Sequence, residues 1–386
     1  MLQSETQTFP QTGTLPGYSP FREVQLFIDG SLAGVSWPFP IIFTGGVVPG
    51  LWRPIVGIDA FDLKEDEVDI TQWLPLLCDG NAHTFRIRVS GLEDDGHNTT
   101  SLSETTGDYW LVTGKIFIWL DVEGHITTGK GPYSVDPLPV IQATSSYGAG
   151  PNGTNETLLY QVDVQRSISI KSTINLSHGE QTVFWRQQRN YSNIGNMSEA
   201  GNVAINTQVT TGRDISSSGY ARDLYYDLYA FSDYETLGSN ISIVATVNRT
   251  KTVQTTGQAV FPDGREAFVE VAPDFQGSLL TTTQSGDATY LANRTSSTSF
   301  SFGTTEQEMT LSGIRVGHAY DAQDPAEQEL FHRHALAVNG TVTVDEERLM
   351  GDTTRYAHGH VHGNGDDGHG FCIADVLGRG GNRHRR

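Results

Sequence analysis

Cysteine is nearly absent: Cys78 and Cys372 are the only two in 386 residues. Two thiols so far apart do not make a disulfide framework; they read as separate thiols, with a pairing left open. Basic residues are also scarce, with 25 Lys and Arg against 45 Asp and Glu, for a net charge of −20. That deficit argues against a nucleic-acid partner and against an anionic membrane surface, since both need a basic patch. No apolar run approaches the length of a membrane span. The opening MLQSETQTFPQTGTLPGYSPF has neither the basic nor the apolar region of a signal peptide. GxSxG, HExxH and phosphate-loop motifs are missing, so a Ser or Cys nucleophile has no support.

Glycine is plentiful, at 42 residues, and charged residues make up 18%. With many Ser and Thr, this composition favours strands joined by turns over helices. Asn-x-Ser/Thr sequons occur at Asn98, Asn152, Asn155, Asn175, Asn190, Asn196, Asn240, Asn248, Asn293 and Asn339. They imply a chain that passes through the secretory pathway, with those positions on the surface. A sequon-rich chain without a leader reads as one that starts inside a longer protein, secreted or vacuolar in its full form.

Alternation predicts an all-β fold. In REVQLFI (22–28), Val24, Leu26 and Ile28 share a face, and Asp29-Gly30 then signals a hairpin. TFRIRVS (84–90) and TGKIFIWLD (113–121) repeat the pattern, as expected of a half-buried antiparallel jelly roll or sandwich. PAEQELFHRHALAV (325–338) is balanced between helix and strand: Asp324-Pro325 looks like a helix start, yet LFHRHALAV alternates. The expected organisation is an N-terminal extension over 1–20, a partial jelly-roll domain over 21–130, and a Gly/Pro-rich linker over 131–157. A second β-rich domain over 158–350 and a disordered His/Gly-rich tail over 351–386 follow.

Several residues are candidates for chemistry. KEDEVDI (64–70) and LEDDG (92–96) read as a solvated edge and a turn. Asp59 and Asp62 stand among apolar residues near Trp52 and Arg53, as a structural ion pair or a site. Arg22 and Glu23 open a strand, where a carboxylate can serve as general acid or base. The histidines of HGHVHG (358–363) lie in a Gly-rich tail without oriented outer partners, so neither metal nor cofactor is expected. Amide or glycoside hydrolysis run by carboxylates stays open.

The block FREVQLFIDGSLAGVSWPFPIIFTGGVVPGLWRPIVGIDAFDL resembles the signature of the peptide-N-glycosidase A family of plants and fungi. The similarity continues through ITQWLPLLCDGNAHTFRIRVSGLEDDG and DYWLVTGKIFIWLD, close from Tyr18 to Asp121 and looser to about Val344. The resemblance implies an amidase acting on the bond between an N-glycan and Asn, with N-glycosylated peptides and proteins as substrates. It makes Glu23 the acid/base residue, with Asp59 and Asp62 as further carboxylates. Arg22 and Arg53 become donors to substrate or oxyanion. Trp37, Trp52, Tyr109 and Trp110 become sugar platforms, though each is equally readable as core. Family members carry a further segment before this block, which leaves an inactive fragment or a carbohydrate-binding sandwich as the alternative.

Overall fold

The computed structural model describes residues 2–15, 17, 19–40, 42, 46–52, 55, 65–96, 99–104, 106, 110–257, 274–315, 327–350 and 356–357. Arg53, Asp59, Asp62, Asn98, Tyr109, Asp324-Pro325, the three tail histidines and Cys372 lie outside these residues. The class is all-β, with 63% strand and 6% helix. The chain divides into two units. The first holds residues 1–40, 66–201 and 206–223; the second holds 41–65, 202–205 and 224–386.

In the first unit, β1 (Glu23–Ile28) sits between β2 (Ser31–Ser36) and β3 (Phe85–Ser90), antiparallel to both. Asp29 (φ 47) and Gly30 (φ 84) both adopt positive φ, the requirement of the tight turn that Asp-Gly predicts. A four-residue helix, α1 (Leu74–Leu77), and a small pair, β4 (Leu92–Asp94) with β5 (Thr100–Leu102), flank this sheet in sequence. The remaining strands are β6 (Thr128–Val135), β7 (Val140–Ala149), β8 (Asn155–Leu176), β9 (Gly179–Ser198) and β10 (Val203–Ser216). Both β6 and β7 pair with β8, and β8 pairs along its whole length with β9.

Along β8 every second residue, from Leu158 to Ile174, is buried. Ile168 and Ile170 pack with Ile28, Leu32, Ala33, Val35 and Trp73. Val162 and Val164 pack with Leu2, Phe21, Trp37, Leu92 and Tyr191. The N-terminal segments are therefore the cover that buries one face of the long hairpin. Each such aliphatic side chain contributes roughly 1.5–3 kcal/mol when fully buried.

The second unit is a meander of β11 (Ala221–Leu237), β12 (Asn240–Thr256), β13 (Gly277–Asn293), β14 (Thr298–Ile314), β15 (Glu327–Val338), β16 (Thr341–Leu349) and β17 (Tyr356–Ala357). The first three residues of β11 belong to the first unit. Neighbours in sequence are neighbours in the sheet, as in the second β-rich domain expected from the sequence.

One open alternative is decided and three sequence expectations are corrected. The segment 327–338 is a strand: Asn339 (φ 49) and Gly340 (φ 81) turn it back onto β16, and its alternation outweighs the helix-start signal. Residues 131–157, expected as a linker, carry most of β6, β7 and the start of β8. Two of their glycines reflect close approach: a Cβ on Gly131 or Gly148 would collide with the Ser172 or the Thr157 hydroxyl. TGKIFIWLD forms no strand ladder among the described residues; alternation makes a strand possible, and a ladder partner makes it real. Finally, β1 buries Glu23 and Gln25 rather than Val24 and Leu26. Ile28 is buried as well, while the register shift opposite Leu26 and Phe27 places its extra residue, Ala33, on β2.

Candidate functional site

Glu23 points inward at the start of β1, where its carboxylate is fully buried. One oxygen accepts a hydrogen bond from Gln25 Nε2 at 2.7 Å and the other from Trp37 Nε1 at 3.0 Å. Arg166 on β8 supplies the counter-charge, with Nη1 at 3.6 Å and a side chain itself buried. Gln25 is held in turn by Arg88 Nε at 2.7 Å on β3. Phe21 meets Trp37 edge-on at 4.9 Å and Tyr191 at 5.2 Å. Burial pushes the Tyr191 phenol well above its ordinary range, and its hydroxyl donates to Gln208 at 3.2 Å. Arg22, one residue before the strand, donates to the carbonyls of Ser19 at 2.6 Å and Phe21 at 2.7 Å, and burial lowers its pKa.

A second buried polar set lies next along the same strands. Gln187 on β9 receives Val35 N–H at 2.8 Å and donates to the Val35 carbonyl at 2.9 Å. Its amide thus does for the edge of β2 what a neighbouring strand would do. Gln187 also donates to Asp214 on β10, which pairs with Arg189 at 2.7 Å. The acidic run 64–70, expected as a solvated edge, takes part as well. Asp69 is buried and accepts from Thr71 and from Ser216 Oγ at 2.8 Å, while Asp66 and Glu67 both face Arg222. The turn expected over 92–96 holds the N-terminus: Asp94 accepts from Gln3 N–H at 3.1 Å.

The structure brings together Arg22, Glu23 and Trp37 in the first unit. Trp52 belongs to the second, inside a cluster of Val48, Leu51, Ala245, Val247 and Ala288. Its indole donates to the Gly46 carbonyl at 2.5 Å, and Arg249 stands 5.1 Å from its ring centre. Trp37 and Trp52 are thus both core residues, whereas Trp110 is half-buried. Residues that sequence reasoning missed are Gln25, Arg166, Gln187, Arg189 and Asp214. The signal existed in VFWRQQRNYSN, where Trp185, Gln187, Arg189, Tyr191 and Asn193 fall on one face; a polar inner face looks like a solvated one.

Among the described residues one trio has metal-ligand spacing: Glu306, Glu308 and His334, with ligand atoms within 4.8 Å of one another on the surface of the second unit. Exposed acidic groups of this kind are common without an ion. No described helix is long and apolar enough to cross a membrane.

Fold and cluster together define an all-β protein with an indole-capped carboxylate buried at the head of its first strand. Residues 1–133 match the family described as peptide N-acetyl-beta-D-glucosaminyl asparaginase amidase A, and residues 159–235 match its C-terminal domain. The chain belongs to the peptide-N-glycosidase A family. It is 32% identical over 240 residues to the peptide-N4-(N-acetyl-beta-glucosaminyl)asparagine amidase A of Prunus dulcis, a match covering 60% of this chain and 38% of that protein. The chain thus spans well under half the length of the curated relative it matches. No solved structure matches it significantly.

Proposed function

We propose that this chain is part of a glycoamidase that hydrolyses the amide between an N-glycan and its Asn in glycopeptides and glycoproteins. The observation that carries the reading is the family match over residues 1–133, which contain Arg22, Glu23 and Trp37. Water adds to the side-chain amide carbonyl, and an acid protonates the leaving nitrogen. The products are Asp and a glycosylamine, which loses ammonia in water to give the free glycan. Such a reaction needs a base, an acid and a donor to the oxyanion. Glu23 is the proposed acid/base residue, with Asp59 and Asp62 as the other carboxylates and Arg22 and Arg53 as the donors. Trp110 and Tyr109 are the proposed sugar platforms. Passage through the secretory pathway belongs to the same proposal. Exposed sequons at Asn152, Asn190, Asn196, Asn240, Asn248 and Asn339 support it.

The test is release of glycan from a purified glycopeptide across about pH 4 to 8, where carboxylates and His titrate, with conversion of Asn to Asp followed by mass spectrometry. No release by the chain or by a longer form containing it would sink the reading. Binding of the glycan without turnover would replace it with a carbohydrate-binding role.

The full burial of Glu23 favours a second reading, in which its carboxylate anchors the fold rather than meeting substrate. Glu23→Gln separates the two. A catalytic Glu23 predicts loss of turnover with an unchanged melting temperature; an anchoring one predicts the melting temperature falling first.

A further inference from the structure

Where β11 turns into β12 and β13 into β14, an apolar groove of about 390 Å³ opens on the second unit. That volume lies within the range of small-molecule sites. Leu237, Leu291 and Phe300 line it and are 66%, 41% and 68% exposed. Glu235 and Ser242 add polar groups. Such a lining suits a sugar, whose C–H face meets apolar groups and rings while its hydroxyls need polar partners.

The groove also holds a point of attachment for one. Asn240 and Asn293, each the first residue of a sequon, line it and stand directly opposite each other across β12 and β13. Their amides are not equivalent. Asn293 Nδ2 donates to Asn240 Oδ1 at 2.7 Å and to Ser239 Oγ at 3.4 Å, while its Oδ1 accepts from the N–H groups of Thr295 and Ser296. Asn240 is exposed, and its Nδ2 donates to none of the described residues. A sugar on Asn293 would have to enter between the two side chains. A sugar on Asn240 leaves every one of these bonds in place, and the bond from Asn293 fixes the amide that carries it. Leu291 lies opposite Ser242, and Phe300 opposite Leu291. The first sugars leaving Asn240 therefore cross Leu291 to reach Phe300 two strands on, about 10 Å across the sheet at the spacing of paired strands.

We propose that Asn240 carries an N-glycan whose first sugars seat on Leu291 and Phe300 and cover this end of the second unit. Attachment is an exchange at one carbon. C1 of the first N-acetylglucosamine bonds to Asn240 Nδ2 as its bond to a lipid diphosphate breaks, and the amide releases one of its two protons to water. The inference rests on passage through the secretory pathway and not on the amidase activity.

The full chain, secreted from a eukaryotic host behind a supplied leader, should yield an Asn240 glycopeptide by mass spectrometry. If other sequons such as Asn190 are occupied while Asn240 is recovered bare, this inference alone fails. If no sequon is occupied, the secretory reading fails with it. Conversion of Asn240 to Asp would mean a glycan attached and then cut away, which overturns the protected seat. Seating is read by melting. Asn240→Gln removes the acceptor, whereas Ser242→Ala destroys the sequon and keeps the Asn240–Asn293 hydrogen bond. Both should lower the melting temperature of the secreted chain by about 2–4 °C; Asn190→Gln, at an exposed sequon of the first unit, should not. A drop in only one of the two belongs to that side chain and overturns the proposal. In a Phe300→Ala background the drop from Ser242→Ala should shrink to less than half, because the sugar has lost its platform. An equal drop in both backgrounds also overturns it.

Discussion

Two regions of the first unit invert the usual arrangement. The face of β8 and β9 that water cannot reach carries Arg166, Gln187 and Arg189, while the strip from Leu111 to Ile126 that water reaches freely is apolar. The difference lies in partners. These three side chains face partners: Glu23 at ion-pair distance for Arg166, the Val35 backbone for Gln187, Asp214 for Arg189. The strip has no strand beside it among the described residues. Residue type alone does not settle which side of a sheet is inside. The partners available on each side do.

Glu23→Ala should break the inner region most severely. It strands the Arg166 guanidinium and the Trp37 indole, and removing one member of a buried pair costs about 3–5 kcal/mol. Chemical denaturation measures this, and a loss below about 1 kcal/mol, the range of exposed ion pairs, would mean water already reaches the cluster. Adding Arg166→Met to Glu23→Leu sharpens the point, since an apolar pair should recover much of the loss. Gln187→Leu keeps the volume but leaves Val35 N–H and C=O unpaired, for an expected loss of about 1–3 kcal/mol. Amide exchange should quicken at Val35 above all; uniform quickening across the first unit would instead indicate global loosening.

A pH effect should come next in size. His83 bridges Asp29 at 2.7 Å and Asp79 at 3.0 Å, tying the β1–β2 turn to the residues after α1. The hydrogen bond that protonated His83 donates to Asp29 raises the His83 pKa above 6.5, so its stabilisation is complete below 6.5 and fades as pH rises through the higher folded value. The Thr84 N–H lowers the pKa of Asp29, and the Asn81 side chain lowers that of Asp79. Their contributions are complete above the ordinary 3.8 and fade as acid reaches the lower folded values. The tie is therefore strongest in mild acid. Melting temperatures should decline from pH 6 to 8 in the parent, over the range in which His titrates, and this slope should flatten in His83→Gln. An unchanged slope would assign it elsewhere. The smallest effect is expected in the outer region: Ile118→Ser should alter monomer stability by less than about 0.5 kcal/mol. A larger loss would mean the strip is packed after all.

Much of the fold was legible. Alternation and turn residues predict strands, and Asp29-Gly30 marks a hairpin that forms as expected. The Asn339-Gly340 pair carried the same information for β15 and β16, but the Asp-Pro start upstream masked it. The candidate site was only partly legible. Glu23 and Trp37 do meet, but the face of Val24, Leu26 and Ile28 is not the one buried at the start of β1, because an alternating string does not say which face another part of the chain covers. Gln187 and Arg189 were missed because a Gln-Arg stripe has the polarity of a solvated surface.

The sequence by itself determined the all-β class, the family and the hairpins, because backbone periodicity and turn geometry are local properties. Tertiary structure decided that Glu23 is enclosed, that Trp52 belongs to a different unit from Trp37, and that TGKIFIWLD joins no strand ladder among the described residues. Each depends on what another part of the chain places alongside, and a desolvated charge or an edge strand is stabilised only by a partner distant in sequence.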